Sequence, residues 1–172
     1  GTYLIKCYRI LSQFKSDIPI NYDSFEEELK SICEDLNRSL TPQWMSLKKQ
    51  NMIRVELLIT AHDCFCQECS TEGIGDVLYL SKMLINELAE NKVYNMIVKL
   101  MCGIGRYREM FYCFDILIKN EAFEALLGQF NDKQTNGLKN ALLSYLNEYH
   151  PDNKEYFLLK FLVPNFKVRL LN

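Results

Sequence analysis

Apolar residues recur at intervals of three and four along almost the whole chain, the signature of amphipathic helices rather than alternating strands. Leu4, Cys7, Tyr8, Leu11 and Phe14 form a first stripe that ends before Pro19. Asp23 and Ser24 are placed to cap a second helix, with Glu26 and Glu27 in capping-box register and Phe25, Leu29, Ile32 and Leu36 on its apolar face. Thr41-Pro42 is an N-cap followed by proline at the first helical position, and it opens a short third helix carrying Trp44.

A fourth helix is predicted from Ile53 to Ser70, with Val55, Leu58, Ile59, His62, Cys66 and Cys69 on its buried face. Gly73 and Gly75 are expected to reverse the chain before a fifth helix bearing Val77, Leu78, Leu84, Ile85 and Leu88. Asn91 is placed to cap a sixth helix, striped by Val93, Met96, Ile97, Leu100 and Met101, and Gly103 with Gly105 make the next reversal. The seventh helix has the cleanest stripe: Tyr107, Met110, Phe111, Phe114, Leu117 and Ile118. A short eighth covers Glu121 to Leu127, and the polar segment Asn131 to Asn136 reads as the longest loop. Leu138, Ala141, Leu142, Tyr145 and Tyr149 mark a ninth helix stopped at His150-Pro151, and a tenth runs from Asp152 towards Val163.

The expected fold class is therefore all-α, built of stacked antiparallel helix hairpins in the manner of an α-solenoid, because tight turns between such helices force neighbours to run antiparallel. Composition agrees. A chain of 172 residues is long enough to bury a core, and 7 Gly with 4 Pro are too few for the many turns of an all-β fold. The net charge of −2 is not segregated along the chain, which argues against a nucleic-acid track or a polybasic membrane anchor. No apolar run approaches the ~20 residues of a membrane span; the most apolar stretch, Tyr156 to Pro164, is interrupted by Lys160. Seven cysteines without regular spacing suit a reducing, cytoplasmic compartment better than a disulfide framework.

Three patterns invite a chemical reading. His62-x-Cys64-x-Cys66-x-x-Cys69 has the residue types of a zinc site, but on a continuous helix Cys64 points about 200° away from His62, so four ligands converge only if the helix unwinds. A cysteine nucleophile at Cys66, one helical turn from His62, is disfavoured because both lie on the apolar stripe, where burial opposes the thiolate. Gly103-Ile104-Gly105-Arg106 resembles a phosphate loop only superficially, since a helical segment precedes it instead of a strand. No residue is assigned as catalytic, cofactor-binding or metal-ligating, and no cofactor is expected.

Glu56–Phe65, Cys69–Ile74, Val98–Leu117, Phe123–Leu127 and Leu138–Leu146, in that order and spacing, resemble the C-terminal region of the spatacsin family over about residues 54–158. Residues 1–53 read as N-terminal helices outside the resemblance, 54–163 as the family-like helical region, and 164–172 as an atypical tail, consistent with an excerpt of a longer protein or a truncated or mis-spliced end. The resemblance implies a non-catalytic scaffold acting in endosomal and lysosomal trafficking and autophagic lysosome reformation, with a role in axon maintenance. It implies two protein partners, a spastizin-like protein and the fifth adaptor-protein complex, and a cytoplasmic location peripheral to lysosomes and late endosomes. It implies no nucleic acid, no membrane insertion and no small-molecule substrate. The alternative is a generic helical interaction or regulatory module with a metal site at His62, Cys64, Cys66 and Cys69.

Overall fold

The computed structural model describes residues 1–13, 47–127 and 136–158. Within them the chain forms α1 (Thr2–Gln13), α2 (Leu47–Gln67), α3 (Thr71–Glu90), α4 (Tyr94–Ile104), α5 (Tyr112–Lys119), α6 (Glu124–Leu127) and α7 (Asn136–Tyr149), followed by a 3-10 turn at Pro151–Asn153 and a helical stretch over 154–158. Among the described residues there is no strand, and the protein is all-α. The expected second and third helices and Trp44 lie outside the described residues, as do most of the expected loop from Asn131 and the chain beyond residue 158.

From α1 to α5 each helix packs on the next. α2 lies against α1, α3 and α4; α3 also contacts α4; and α4 contacts α5 and α6. One apolar cluster threads all of them, from Ile5 and Tyr8 on α1 to Tyr145 and Leu146 on α7.

Of the two reversals expected at glycines, the first is displaced and the second falls at Gly105. The chain turns at Glu68–Ser70, before Gly73 and Gly75, both of which sit in the first turns of α3. The turn is a Schellman motif: Ser70 N–H donates to Phe65 O and Cys69 N–H to Cys66 O, with Cys69 left-handed at φ 54°. Ser70 then serves as the N-cap of α3, its hydroxyl accepting from Gly73 N–H at 3.2 Å. Gly73 is needed for closeness, since a Cβ there would sit 2.3 Å from the Phe65 ring.

The same motif closes α3 and α5. Val93 N–H donates to Leu88 O with Lys92 left-handed, and Ala122 N–H donates to Leu117 O with Glu121 left-handed. Asn91 is thus the C-cap of α3, its side-chain amide donating to Glu87 O at 2.8 Å, and not the cap of the following helix. Asn120 does the same for α5, towards Ile116 O. At the expected second reversal α4 runs through Gly103 and ends at Ile104, with Gly105 in the left-handed conformation at φ 69°.

Several buried faces are rotated or trimmed relative to the sequence reading. On α1, Ile5, Tyr8 and Ile10 are buried while Leu4, Cys7 and Leu11 are half-buried. α2 begins six residues before Ile53 and ends at Gln67, and its buried line is Asn51, Arg54, Val55, Leu58, Ala61, His62 and Phe65. Cys66 and Cys69 are exposed, and Ile59 is half-buried. The helix expected from Tyr107 starts only at Tyr112, because Tyr107–Phe111 form turns, although Met110, Phe114 and Leu117 are fully buried as the stripe implies. α6 is trimmed to Glu124–Leu127, and Tyr149 is exposed at the end of α7.

Candidate functional site

The polar centre of the molecule is Arg54. Its position in the middle of the α2 buried line places the guanidinium between helices, and it is 3% exposed. Nη1 and Nη2 donate to the two carboxylate oxygens of Glu87 on α3, each at 2.9 Å. Nη2 also reaches the Tyr8 hydroxyl at 3.4 Å, and the guanidinium carbon lies 5.3 Å from the Tyr8 ring centroid. One side chain therefore ties α1, α2 and α3 together through a fork of charge-assisted bonds and a cation–π contact. Nearby in sequence, Asn51 is buried with no hydrogen-bonding partner for its carboxamide among the described residues, and the same holds for the Ser81 hydroxyl on α3. Sequence reasoning missed this network. The signal was present: Asn51, Arg54, Leu58, Ala61 and Phe65 keep helical spacing if polar residues are admitted to the stripe.

The His62 cluster is only partly assembled. His62 is buried, its Nε2 lies 3.5 Å from Cys66 Sγ, and its Nδ1 lies 3.8 Å from Asp63 Oδ1. Burial, then the positive charge of Arg106, hold the imidazole below its ordinary value, while Asp63 opposes the shift. The helix is continuous through Cys64 and Cys66, which keeps Cys64 on a different face, and Cys69 lies beyond the helix end. Among the described residues no group of three His, Cys, Asp or Glu could hold a metal ion, so the zinc alternative is not favoured.

A second polar group lies under α7. The Tyr145 hydroxyl donates to Asp115 on α5 and lies 3.1 Å from His150 Nε2. Burial, then this bond to the carboxylate, hold the Tyr145 phenol well above the usual range. Around it Phe111, Phe114 and Tyr149 pack ring to ring, with centroids 5.2–5.5 Å from Tyr145. These contacts fasten α7 to α5; they expose no reactive group. The Gly103–Arg106 segment has the wrong polarity for a phosphate loop, since it closes a helix at its carbonyl end, where anions are disfavoured.

The outer surface offers a different chemistry. Gly75, Tyr79 and Met83 fall four residues apart along α3; a Cβ on Gly75 would meet no described residue within 4 Å, and Tyr79 and Met83 are 66% and 55% exposed. With Lys82, Asn86 and Glu90 also exposed, this face mixes apolar and polar side chains.

A family model described as the spatacsin C-terminus matches residues 6–168. The chain belongs to the spatacsin family. Its match reaches further at both ends than the segments that carried the resemblance in sequence. Spatacsin of Mus musculus is 46% identical over 101 residues, covering 58% of this chain and 4% of that protein. A protein of Dictyostelium discoideum is 38% identical over 112 residues, 62% of this chain and 3% of its own length. The chain thus spans only a few per cent of the length of these relatives. No solved structure matches it. No described helix is long and apolar enough to cross a membrane.

Proposed function

We propose that this chain is part of a non-catalytic helical scaffold that binds other proteins in endosomal and lysosomal trafficking, in the reformation of lysosomes after autophagy, and in axon maintenance. The observation that carries the reading is the family match over residues 6–168. The packing is compatible with it: neighbouring helices share one apolar core, as the units of a stacked-helix solenoid do. On this reading the partners are a spastizin-like protein and the fifth adaptor-protein complex, and the chain sits in the cytoplasm against late endosomes and lysosomes.

The test is retention of full-length spastizin, and separately of the fifth adaptor-protein complex, on the immobilised chain. Binding of either above a scrambled helical control supports the scaffold. A chain that melts cooperatively yet retains neither would overturn it.

A further inference from the structure

Asn136 and Gly137 open α7, and both are exposed. The Gly137 N–H lies in the first turn, where no carbonyl of the same helix reaches it, and it makes no hydrogen bond among the described residues. Asparagines at other helix ends precede amides that are engaged. Lys92 N–H, after Asn91, donates to Ala89 O at 3.0 Å; Met96 N–H, after Asn95, donates to Val93 O at 3.1 Å; and Glu121 N–H, after Asn120, donates to Ile118 O at 3.1 Å. The side-chain amides of Asn91 and Asn120 are also held, each by a carbonyl one turn back. Asn136 alone among the chain's asparagines precedes glycine. Packing accounts for that glycine, since a Cβ at Gly137 would sit 3.1 Å from the Tyr107 ring.

We propose that Asn136–Gly137 is a site of spontaneous deamidation, and that its isoaspartate product is a substrate for a protein carboxyl methyltransferase of the isoaspartate-repair type. The Gly137 amide nitrogen attacks the side-chain carbonyl carbon of Asn136. A new C–N bond closes a five-membered imide, the bond from that carbon to Nδ2 breaks, and the amide proton leaves with it as ammonia. Water then opens the imide at either carbonyl. One opening gives aspartate; the other gives isoaspartate, in which the main chain runs through the former side chain. Nothing is oxidised or reduced, and water is the only co-reactant.

Both requirements of the attack meet at this dipeptide. The nucleophilic nitrogen must be free of a hydrogen bond, and the backbone must leave the helical conformation briefly to bring it onto the carbonyl. The first turn is the cheapest part of a helix to open, and glycine places no Cβ in the way. The two products act oppositely on α7. Aspartate puts a negative charge at the positive end of the helix, where it is favourable. Isoaspartate lengthens the backbone by one carbon, so the first turn loses its register over Tyr107. The change falls on the helix that Tyr145 fastens to Asp115 of α5.

The folded full chain is aged at physiological pH and temperature, and conversion at each asparagine is read by peptide mass spectrometry. Isoaspartate is counted separately by enzymatic methyl transfer. Asn136 converts roughly tenfold or more faster than Asn95, the scale of one hydrogen bond plus the freedom of glycine. Gly137→Ala slows Asn136 several-fold and leaves Asn95 unchanged. Asn136→Gln, an exposed change that keeps the fold, removes the fast phase of methyl acceptance and decides the matter if Gly137→Ala does not fold against Tyr107. Equal rates at Asn136 and Asn95, or a fast phase that survives Asn136→Gln, overturn the proposal. So does conversion at Asn136 that occurs only in urea, because α7 would then protect the dipeptide.

Discussion

Arg54 on α2 and Glu87 on α3 are joined by two parallel hydrogen bonds of 2.9 Å, each guanidinium nitrogen to its own carboxylate oxygen. The geometry is bidentate, and the pair is asymmetric in exposure: the Arg54 side chain is 4% exposed and that of Glu87 28%. Removing the carboxylate therefore strands a positive charge in the core, whereas water would partly rescue the converse change.

Glu87→Ala should cost about 3–5 kcal/mol, the scale for breaking one side of a buried pair. Lys99→Ala, which removes the exposed partner of Glu56 (42% and 52% exposed), should cost less than ~1 kcal/mol. Urea unfolding of the two variants checks the ranking. Comparable midpoint shifts would show that Arg54 finds water in the folded state.

Gly73 and Gly75 should respond in opposite directions to the same change. A Cβ at Gly73 would meet the Phe65 ring at 2.3 Å, and a ring wedged between helices cannot swing aside, so Gly73→Ala should destabilise by about 1–3 kcal/mol. Gly75 is helical and no described residue lies within 4 Å of an added Cβ, so Gly75→Ala should stabilise by about 0.5–1 kcal/mol. Thermal melts decide. If Gly75→Ala were the damaging change, α3 would not pack on Phe65 as described.

These two glycines also show what the sequence could and could not reveal. Helical periodicity identified most helices and core anchors such as Val55, Leu58, Leu100, Phe114 and Tyr145 because burial of one face is a strong, repeated constraint. Turn positions were harder to read. Glycine marks the helix end at Gly105, but the chain also turns at Cys69, Lys92 and Glu121, where backbone hydrogen bonds hold side-chain-bearing residues left-handed. Gly73 instead allows two helices to approach. Arg54 was invisible for a related reason: a charge on an apolar stripe looks like an interruption until its partner, 33 residues away, is known.

His62 makes stability fall in mild acid. Its folded value lies below the ordinary ~6.5, so between the two values the unfolded chain binds the proton and the folded chain resists it. The contribution is absent above the unfolded value and grows as destabilisation once pH drops below it. The wild-type melting temperature should therefore decline from pH 7.5 to pH 5, and His62→Gln should flatten that decline. An unchanged slope in the variant would assign the acid sensitivity to other groups.

Phe114 and Arg108 lie on opposite sides of the segment that follows α4. Phe114 is fully buried against Phe111 and Tyr145, and Phe114→Ala should open a cavity costing about 3–5 kcal/mol. Arg108 is exposed, and Arg108→Ala should change stability by less than ~0.5 kcal/mol. Differential scanning calorimetry compares them; the reverse order would mean that the buried face of this segment is misassigned.

The left-handed residues at the helix ends set up a final test. Lys92 has φ 57° and is exposed, so its side chain contributes little packing while its Cβ crowds the backbone. That conformation costs a non-glycine residue roughly 1–2 kcal/mol, and glycine there would relieve it. Against this stands the larger backbone entropy that glycine loses on folding, about 0.5–1 kcal/mol. The difference favours the variant, and Lys92→Gly should stabilise the protein by about 0.5–1 kcal/mol. Lys92→Ala keeps the Cβ and should gain nothing. The backbone bonds from Lys92 N–H to Ala89 O and from Val93 N–H to Leu88 O do not depend on the side chain, so both variants retain the turn. Equilibrium unfolding of the pair isolates the conformational contribution. A glycine variant no more stable than the alanine variant would mean that α3 does not end in this left-handed turn.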